Sequence, residues 1–280
     1  WDKSPIDWLL IGDSFANGAC VQRGNDVAAR LRALTSFTIA NFGINGNGPL
    51  IELATLIEYA SALRPKLVFW LYFEGNDLTD LSKESSSSIL NQYLMPNTSQ
   101  DLIKRQREVN RVLHEFLREQ QTLHKQRSHE QAQNILKEQR IQKYDESGIV
   151  RLWHIRSYLK QFLQFINETS TPNNVKHAAL HKVLKKANRI VSGWGGKLIF
   201  VYLPMKKRYE YRRYLRPVLV QPSDVLQTVT ALGIEAVDLT SELFDLEKQP
   251  LKLFARGMRA THYNAVGYNK VARKLLDLIK

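Results

Sequence analysis

The sequence holds one cysteine, Cys20, so no disulfide can form within the chain. A lone thiol suits reducing and oxidising compartments alike, and leaves that choice open. No run of about 18 apolar residues occurs, so no membrane-spanning helix is expected. No signal peptide is recognisable either. The chain starts at Trp1 rather than methionine, as expected if a leader or anchor has been removed. Neither a His-Glu-x-x-His stretch nor paired-cysteine spacing is present, so no metal site and no cofactor are expected. Recognition motifs for nucleic acid are missing, which argues against that partner. Acidic residues are in deficit, 27 against 40 lysines and arginines, for a formal charge of +13. Such a field favours anionic partners such as acidic glycans or phospholipid head groups; the plainer reading is a solvated basic surface.

What is present suffices for one large domain spanning 1–280. The 280 residues, 44% hydrophobic and 10% aromatic, can bury a full core and exclude wholesale disorder. Ile6 to Ile11, Phe37 to Phe42 and Leu67 to Phe73 read as strands. Between them lie two helical patterns, one from Asn25 to Leu34 and one opened by Pro49 and running to about Leu63. Strands alternating with helices predict a parallel sheet with right-handed crossovers. Lys197 to Leu203 and Ile234 to Val237 continue it. A helix from Ser223 or Asp224 to Leu232 lies between them, and a last one runs from about Ala265 to Ile279.

The middle, about 83–192, reads as a helical insertion that shapes a lid. Leu102, Val109, Val112, Leu113, Phe116 and Leu117 form a stripe suited to packing. Further helices are expected over Leu152 to Phe165 and Val175 to Val191.

Four segments carry chemistry. Gly12-Asp13-Ser14 comes after the first strand, at the end of an open α/β sheet where ligands bind. Asn41 through Gly48 comes after the second, and its glycines let backbone N–H groups approach a substrate. Glu74-Gly75-Asn76-Asp77 comes after the third and offers an asparagine amide. His262 precedes the last helix, with Asn264 and Gly267 behind it. Each alone reads equally as a cap or turn. Together they assemble a nucleophile, oxyanion donors and a base at one rim of the sheet.

These motifs resemble the SGNH (GDSL-like) hydrolase superfamily, named for its catalytic serine, glycine, asparagine and histidine. The likeness covers Ile6 to Asp77 and Gly195 to Tyr268 and leaves out the helical insertion. It implies a three-layer α/β/α sandwich with a five-stranded parallel sheet, flavodoxin-like in type. Ser14 would be nucleophile and oxyanion donor, Gly46 and Asn76 the other oxyanion donors, and His262 the base. A looser similarity, through Gly195 to Pro204 with Tyr209, is to bacterial proteins linked to surface polysaccharide assembly. It implies a periplasmic or other extracytoplasmic place, with a membrane anchor or acetyl-donor partner outside this chain.

Two departures stand out. Glu74 occupies a place where the family usually has glycine. The Asp-x-x-His motif that orients the base reads Arg259-Ala260-Thr261-His262, leaving Arg259 where the acid belongs. Arg259 would oppose protonation of the ring. Three explanations stay open: a carboxylate from elsewhere, nearest upstream Asp238, Glu242 or Asp245; a backbone carbonyl orienting the base in a Ser-His dyad; or a weakened or dead enzyme. Asp13 and Arg259 are candidates for an acid or substrate-binding role. Lys206, Lys207, Arg208, Arg212, Arg213 and Arg216, interleaved with Tyr209, Tyr211 and Tyr214, suit an acidic glycan at the pocket rim. The expected activity is acyl-ester hydrolysis or O-acetyl transfer on carbohydrate esters; the alternative is a noncatalytic binder of an anionic polysaccharide.

Overall fold

The computed structural model describes residues 5–123, 173–210, 222–257 and 261–279. It divides into two compact units, 1–100 with 171–280, and 101–170.

The first unit is built on a five-stranded sheet in the order β2-β1-β3-β4-β5, with every pairing parallel. The strands are β1 (Trp8–Gly12), β2 (Ile39–Asn41), β3 (Leu67–Phe73), β4 (Lys197–Leu203) and β5 (Glu235–Asp238). Parallel strands are covered on both faces, so they need apolar side chains at consecutive positions. β3, Leu-Val-Phe-Trp-Leu-Tyr-Phe, is buried at all seven.

Alternation sends the two sets of side chains into separate cores. Trp8, Leu10, Phe69, Leu71, Ile199 and Val201 pack with α2 (Val27–Leu34) and the final helix α10 (Ala265–Asp277) on one face. Leu9, Ile11, Val68, Trp70, Leu198 and Phe200 meet the helices of the other face. Those are α3 (Pro49–Thr55), continued through a π turn at Leu56–Ala60 into α4 (Ser61–Leu63), then α5 (Asp77–Glu84), α7 (Asn173–Gly193) and α9 (Pro222–Thr230). Short helices α1 (Ser14–Asn17), α6 (Ser88–Gln92) and α8 (Lys207–Glu210) complete the layers. The result is the expected three-layer sandwich.

Helix α7 corrects the expected boundaries of the insertion. Its Leu180, Val183, Leu184, Ala187 and Val191 are buried against the sheet. It is a layer of the sandwich, not part of an insertion reaching residue 192. The second unit begins only at Asp101. Within it a helix spans 106–123, and the stripe expected to pack is exposed at Val112, Leu113, Phe116 and Leu117. The helix expected over Leu152 to Phe165 lies outside the described residues.

Among the described residues no helix is long and apolar enough to cross a membrane.

Candidate active site

Each of the first three chemistry-bearing segments occupies the turn at the carboxyl end of a strand, and the fourth lies just ahead of the closing helix. The strand order reverses at β1, with β2 on one side and β3 on the other, and ligands bind at such a switch point beyond the carboxyl ends of the strands. Ser14 stands two residues past the end of β1. Asp13, wholly buried, caps α1 by accepting the Phe15 N–H at 2.8 Å, and α1 ends at Gly18 in the left-handed region, φ 84°. This tight turn leaves Ser14 half-buried at the rim.

His262 arrives from the far end of the chain. Its neighbour Tyr263 is fully buried, pairs in an isolated antiparallel bridge with Phe254, and donates its hydroxyl to the Pro204 carbonyl at 2.8 Å. Asn264 caps α10 by accepting from Gly267 N–H at 2.9 Å, and its amide donates to the Lys252 and Phe254 carbonyls. Anchored on both counts, His262 places Nε2 2.7 Å from Ser14 Oγ across 248 residues of sequence. The Phe15 ring stacks on the imidazole, centroids 4.6 Å apart. Burial lowers the His262 pKa below its ordinary value, which favours the neutral ring.

The other imidazole nitrogen meets no carboxylate among the described residues. Nδ1 lies 3.4 Å from Thr261 Oγ1 and 3.7 Å from Cys20 Sγ. Two of the acids considered as its partner are engaged elsewhere. Asp238 accepts from Thr240 N–H at 2.8 Å and from the Ser241 hydroxyl, while Glu242 accepts from Asp238 N–H and pairs with Lys274. Arg259 lies outside the described residues. Asp13, the other candidate acid, stands on the Ser14 side, its Oδ2 3.3 Å from Oγ. Being buried, it is a capping group that substrate does not reach, contrary to the substrate role considered for it.

The second and third segments flank the serine. The loop after β2 is pinned to α1: Asn41 Nδ2 donates to the Ala16 carbonyl at 2.7 Å, and Asn17 Nδ2 to Asn45 Oδ1 at 2.8 Å. Gly43 permits this approach, since a Cβ there would lie 2.4 Å from Asn17 N. Beyond it Gly46 is exposed, with φ +83°, a conformation that L side chains rarely adopt. Asn76 occupies the N-cap position of α5 at the end of β3 without a side-chain capping bond; its Nδ2 donates to Asp80 Oδ2 at 2.6 Å, and its amide also interacts with the Asp13 carboxylate. At least one of its two amide hydrogens is therefore already placed.

Beneath these loops lie buried carboxyls. Glu52 and Asp77 are fully buried, and desolvation holds both pKa values well above the usual carboxylate range, with neighbouring Asp13 adding to the shift. Among the described residues neither oxygen of Glu52 makes a well-formed hydrogen bond, and the Trp70 indole is the donor that acts on it. Glu84 takes a different part: its carboxylate accepts from Gly48 N–H and from Leu50 N–H at 2.9 Å, capping α3 from another helix.

The basic segment after β4 departs from expectation. Arg208 and Tyr209, expected at a glycan-binding rim, are buried. Arg208 pairs with Glu74, and the Tyr209 ring packs against Phe244 and Phe254. Lys206 reaches Glu210 and the Gly257 carbonyl, which leaves Lys207 as the exposed cation in the described part of this segment. Arg212, Arg213, Arg216, Tyr211 and Tyr214 lie outside the described residues. Among the described residues no cluster of His, Cys, Asp and Glu fits a metal ion.

A hydroxyl within hydrogen-bond reach of an imidazole is the arrangement that covalent catalysis uses. No protein-family model matches the sequence, and no curated protein matches it. Among solved structures, LAE5, an alpha/beta hydrolase enzyme from the metagenome of Lake Arreo, Spain, is 13% identical with a TM-score of 0.48, covering 96% of this chain and 93% of that one. A catalytic mutant of Axe2, an acetylxylan esterase from Geobacillus stearothermophilus, is 14% identical with a TM-score of 0.46, covering 98% and 94%. Likenesses this distant carry no argument about chemistry, which rests on the site itself.

Proposed function

We propose that this protein is a serine-dependent acyl-ester hydrolase or O-acetyltransferase of the SGNH (GDSL-like) type, acting on carbohydrate esters. The observation that carries the reading is the 2.7 Å contact between Ser14 Oγ and His262 Nε2. The strand order β2-β1-β3-β4-β5, and the positions of Ser14, Gly46 and Asn76 past the carboxyl ends of β1, β2 and β3, support it.

In the proposed reaction His262 Nε2 takes the Ser14 proton as Oγ attacks the ester carbonyl. The Ser14 and Gly46 N–H groups and the Asn76 amide, held by Asp80, stabilise the tetrahedral oxyanion. The imidazolium returns its proton to the leaving alkoxide, and an acyl-Ser14 intermediate remains. Attack by water makes an esterase; attack by a sugar hydroxyl makes a transferase. Acetyl is the preferred acyl group, and a bacterial extracytoplasmic setting goes with the same likeness.

The test uses an activated acetyl ester and a serine-reactive phosphonate on wild type, Ser14→Ala and His262→Ala. Turnover and labelling that depend on Ser14 support the reading. Equal signals from all three proteins remove it. One observation favours a second reading, a noncatalytic binder of anionic polysaccharide: no carboxylate meets His262 Nδ1 among the described residues. Glycan binding by wild type and Ser14→Ala alike, without turnover, would select it.

A further inference from the structure

The proposed chemistry needs His262 in a single tautomer. Nε2 must be the bare nitrogen that accepts the Ser14 proton, so Nδ1 must carry hydrogen, and the group facing Nδ1 sets that preference. In the Ser-His-Asp arrangement a buried carboxylate does this work. Here, among the described residues, the neighbours of Nδ1 are Cys20 Sγ at 3.7 Å and Thr261 Oγ1 at 3.4 Å.

We infer that Cys20 is the positioning residue of His262, its sulfur accepting the Nδ1 hydrogen and so holding the tautomer that leaves Nε2 free for Ser14. The inference rests on the reading of Ser14 and His262 as nucleophile and base, and deepens it.

The backbone around Cys20 is arranged for this contact. Cys20 has φ 68°, a left-handed conformation uncommon for a residue other than glycine. Just before it, the Ala19 N–H donates to the Ser14 carbonyl at 2.9 Å, and the Ala19 carbonyl accepts the Tyr268 hydroxyl at 3.2 Å. Tyr268 is fully buried on α10, the helix that begins three residues after His262. The residue just before Cys20 is therefore tied both to the nucleophile's own turn and to the helix next to the base. Both side chains are exposed, but among the described residues Thr261 has no comparable backbone tie; it is simply the histidine's neighbour in sequence. Sulfur is a weak acceptor. It can select a tautomer without supplying the charge that stabilises an imidazolium, so the contribution should fall well short of the ~10⁴ of a carboxylate.

The experiment reads the tautomer directly. The full chain is labelled with ¹⁵N-histidine, and the His262 signals are assigned by their loss in His262→Ala. They are then compared in wild type, Cys20→Ala, Cys20→Ser and Thr261→Val, with kcat and KM measured on the activated acetyl ester. Cys20→Gly is a second thiol-free variant suited to the left-handed backbone. The expected result is the Nδ1–H form in wild type and a shift toward Nε2–H in Cys20→Ala and Cys20→Gly. In these kcat should drop about 10- to 100-fold, taking as a guide the range for metal-bound histidines that lose their outer partner. KM should hold, the serine variant should restore part of kcat, and Thr261→Val should change little. An unchanged tautomer and kcat in the thiol-free variants would overturn the inference, as would loss of the Nδ1–H form in Thr261→Val alone. If the tautomer shifts but no variant shows Ser14-dependent turnover, the contact stands and the esterase reading falls.

Discussion

Arg208 grips the Glu74 carboxylate through both Nε, at 2.9 Å, and an Nη nitrogen, in a place where the two side chains are 3% and 1% exposed. Glu74 ends the β3 side and Arg208 the β4 side of the same rim, 134 residues apart in sequence. The same carboxylate accepts the Tyr202 hydroxyl and the Met205 N–H, both at 2.7 Å. This one acid therefore binds the Asn76 loop to the start of the basic segment.

Removing it should be costly. Glu74→Ala leaves the buried Arg208 charge without its carboxylate, and breaking a buried pair from one side typically costs about 3–5 kcal/mol. Urea denaturation should show a loss of that size, and the double variant Glu74→Leu/Arg208→Met should recover much of it. Equal stability of Glu74→Ala and wild type would mean the pair holds nothing together.

Asn76 offers a kinetic test. If its amide donates to the oxyanion, Asn76→Ala should lower kcat about 10²- to 10³-fold, as loss of one such donor does elsewhere. KM should move far less. A rise in KM with kcat intact would instead make Asn76 a ground-state contact or a helix cap.

The pH profile depends on the burial of His262. The base must be neutral to accept a proton, and its pKa lies below the usual ~6.5 because the ring is desolvated. The rising limb of kcat/KM against pH should therefore have its midpoint below that value. A midpoint above it would signal a carboxylate partner raising the imidazole.

Glu52 predicts an unusual slope of stability with pH. Its folded pKa is raised above the unfolded ~4.3, so between those values the native state keeps a proton that the unfolded chain has released. Stability from this group is full below about pH 4. It declines as pH rises toward the folded pKa, by up to about 1.4 kcal/mol per pH unit. Asp77 acts in the same direction. Glu52→Gln should flatten the decline in urea midpoint between pH 5 and pH 8. Parallel curves for the two proteins would refute the idea.

β3 and β4 are legible end to end because strands covered on both faces are apolar at nearly every position. β2 is not: Phe37 to Phe42 is a strand-like run, yet only Ile39–Asn41 pair with β1. Helix α7 reads as insertion because it follows, after a Thr-Pro-Asn-Asn break, the long polar helical stretch that begins near Ser99. Its buried residues, spaced three and four apart from Leu180 to Val191, are the signal that counts. Ser14 and His262 are readable as candidates from short motifs at strand ends. Cys20 is not, since its contact with the imidazole joins positions 242 residues apart and leaves no local pattern. The same holds for Glu74 and Arg208: a charged pair inside a fold looks, in sequence, like two solvated side chains.

Because the serine stands just past the sheet's first strand and its imidazole arrives only after the fifth, a ribosome that has translated as far as residue 261 has made a hydroxyl without its imidazole partner. On the proposed reading, ester cleavage waits until the closing helix docks and brings residue 262 to the serine.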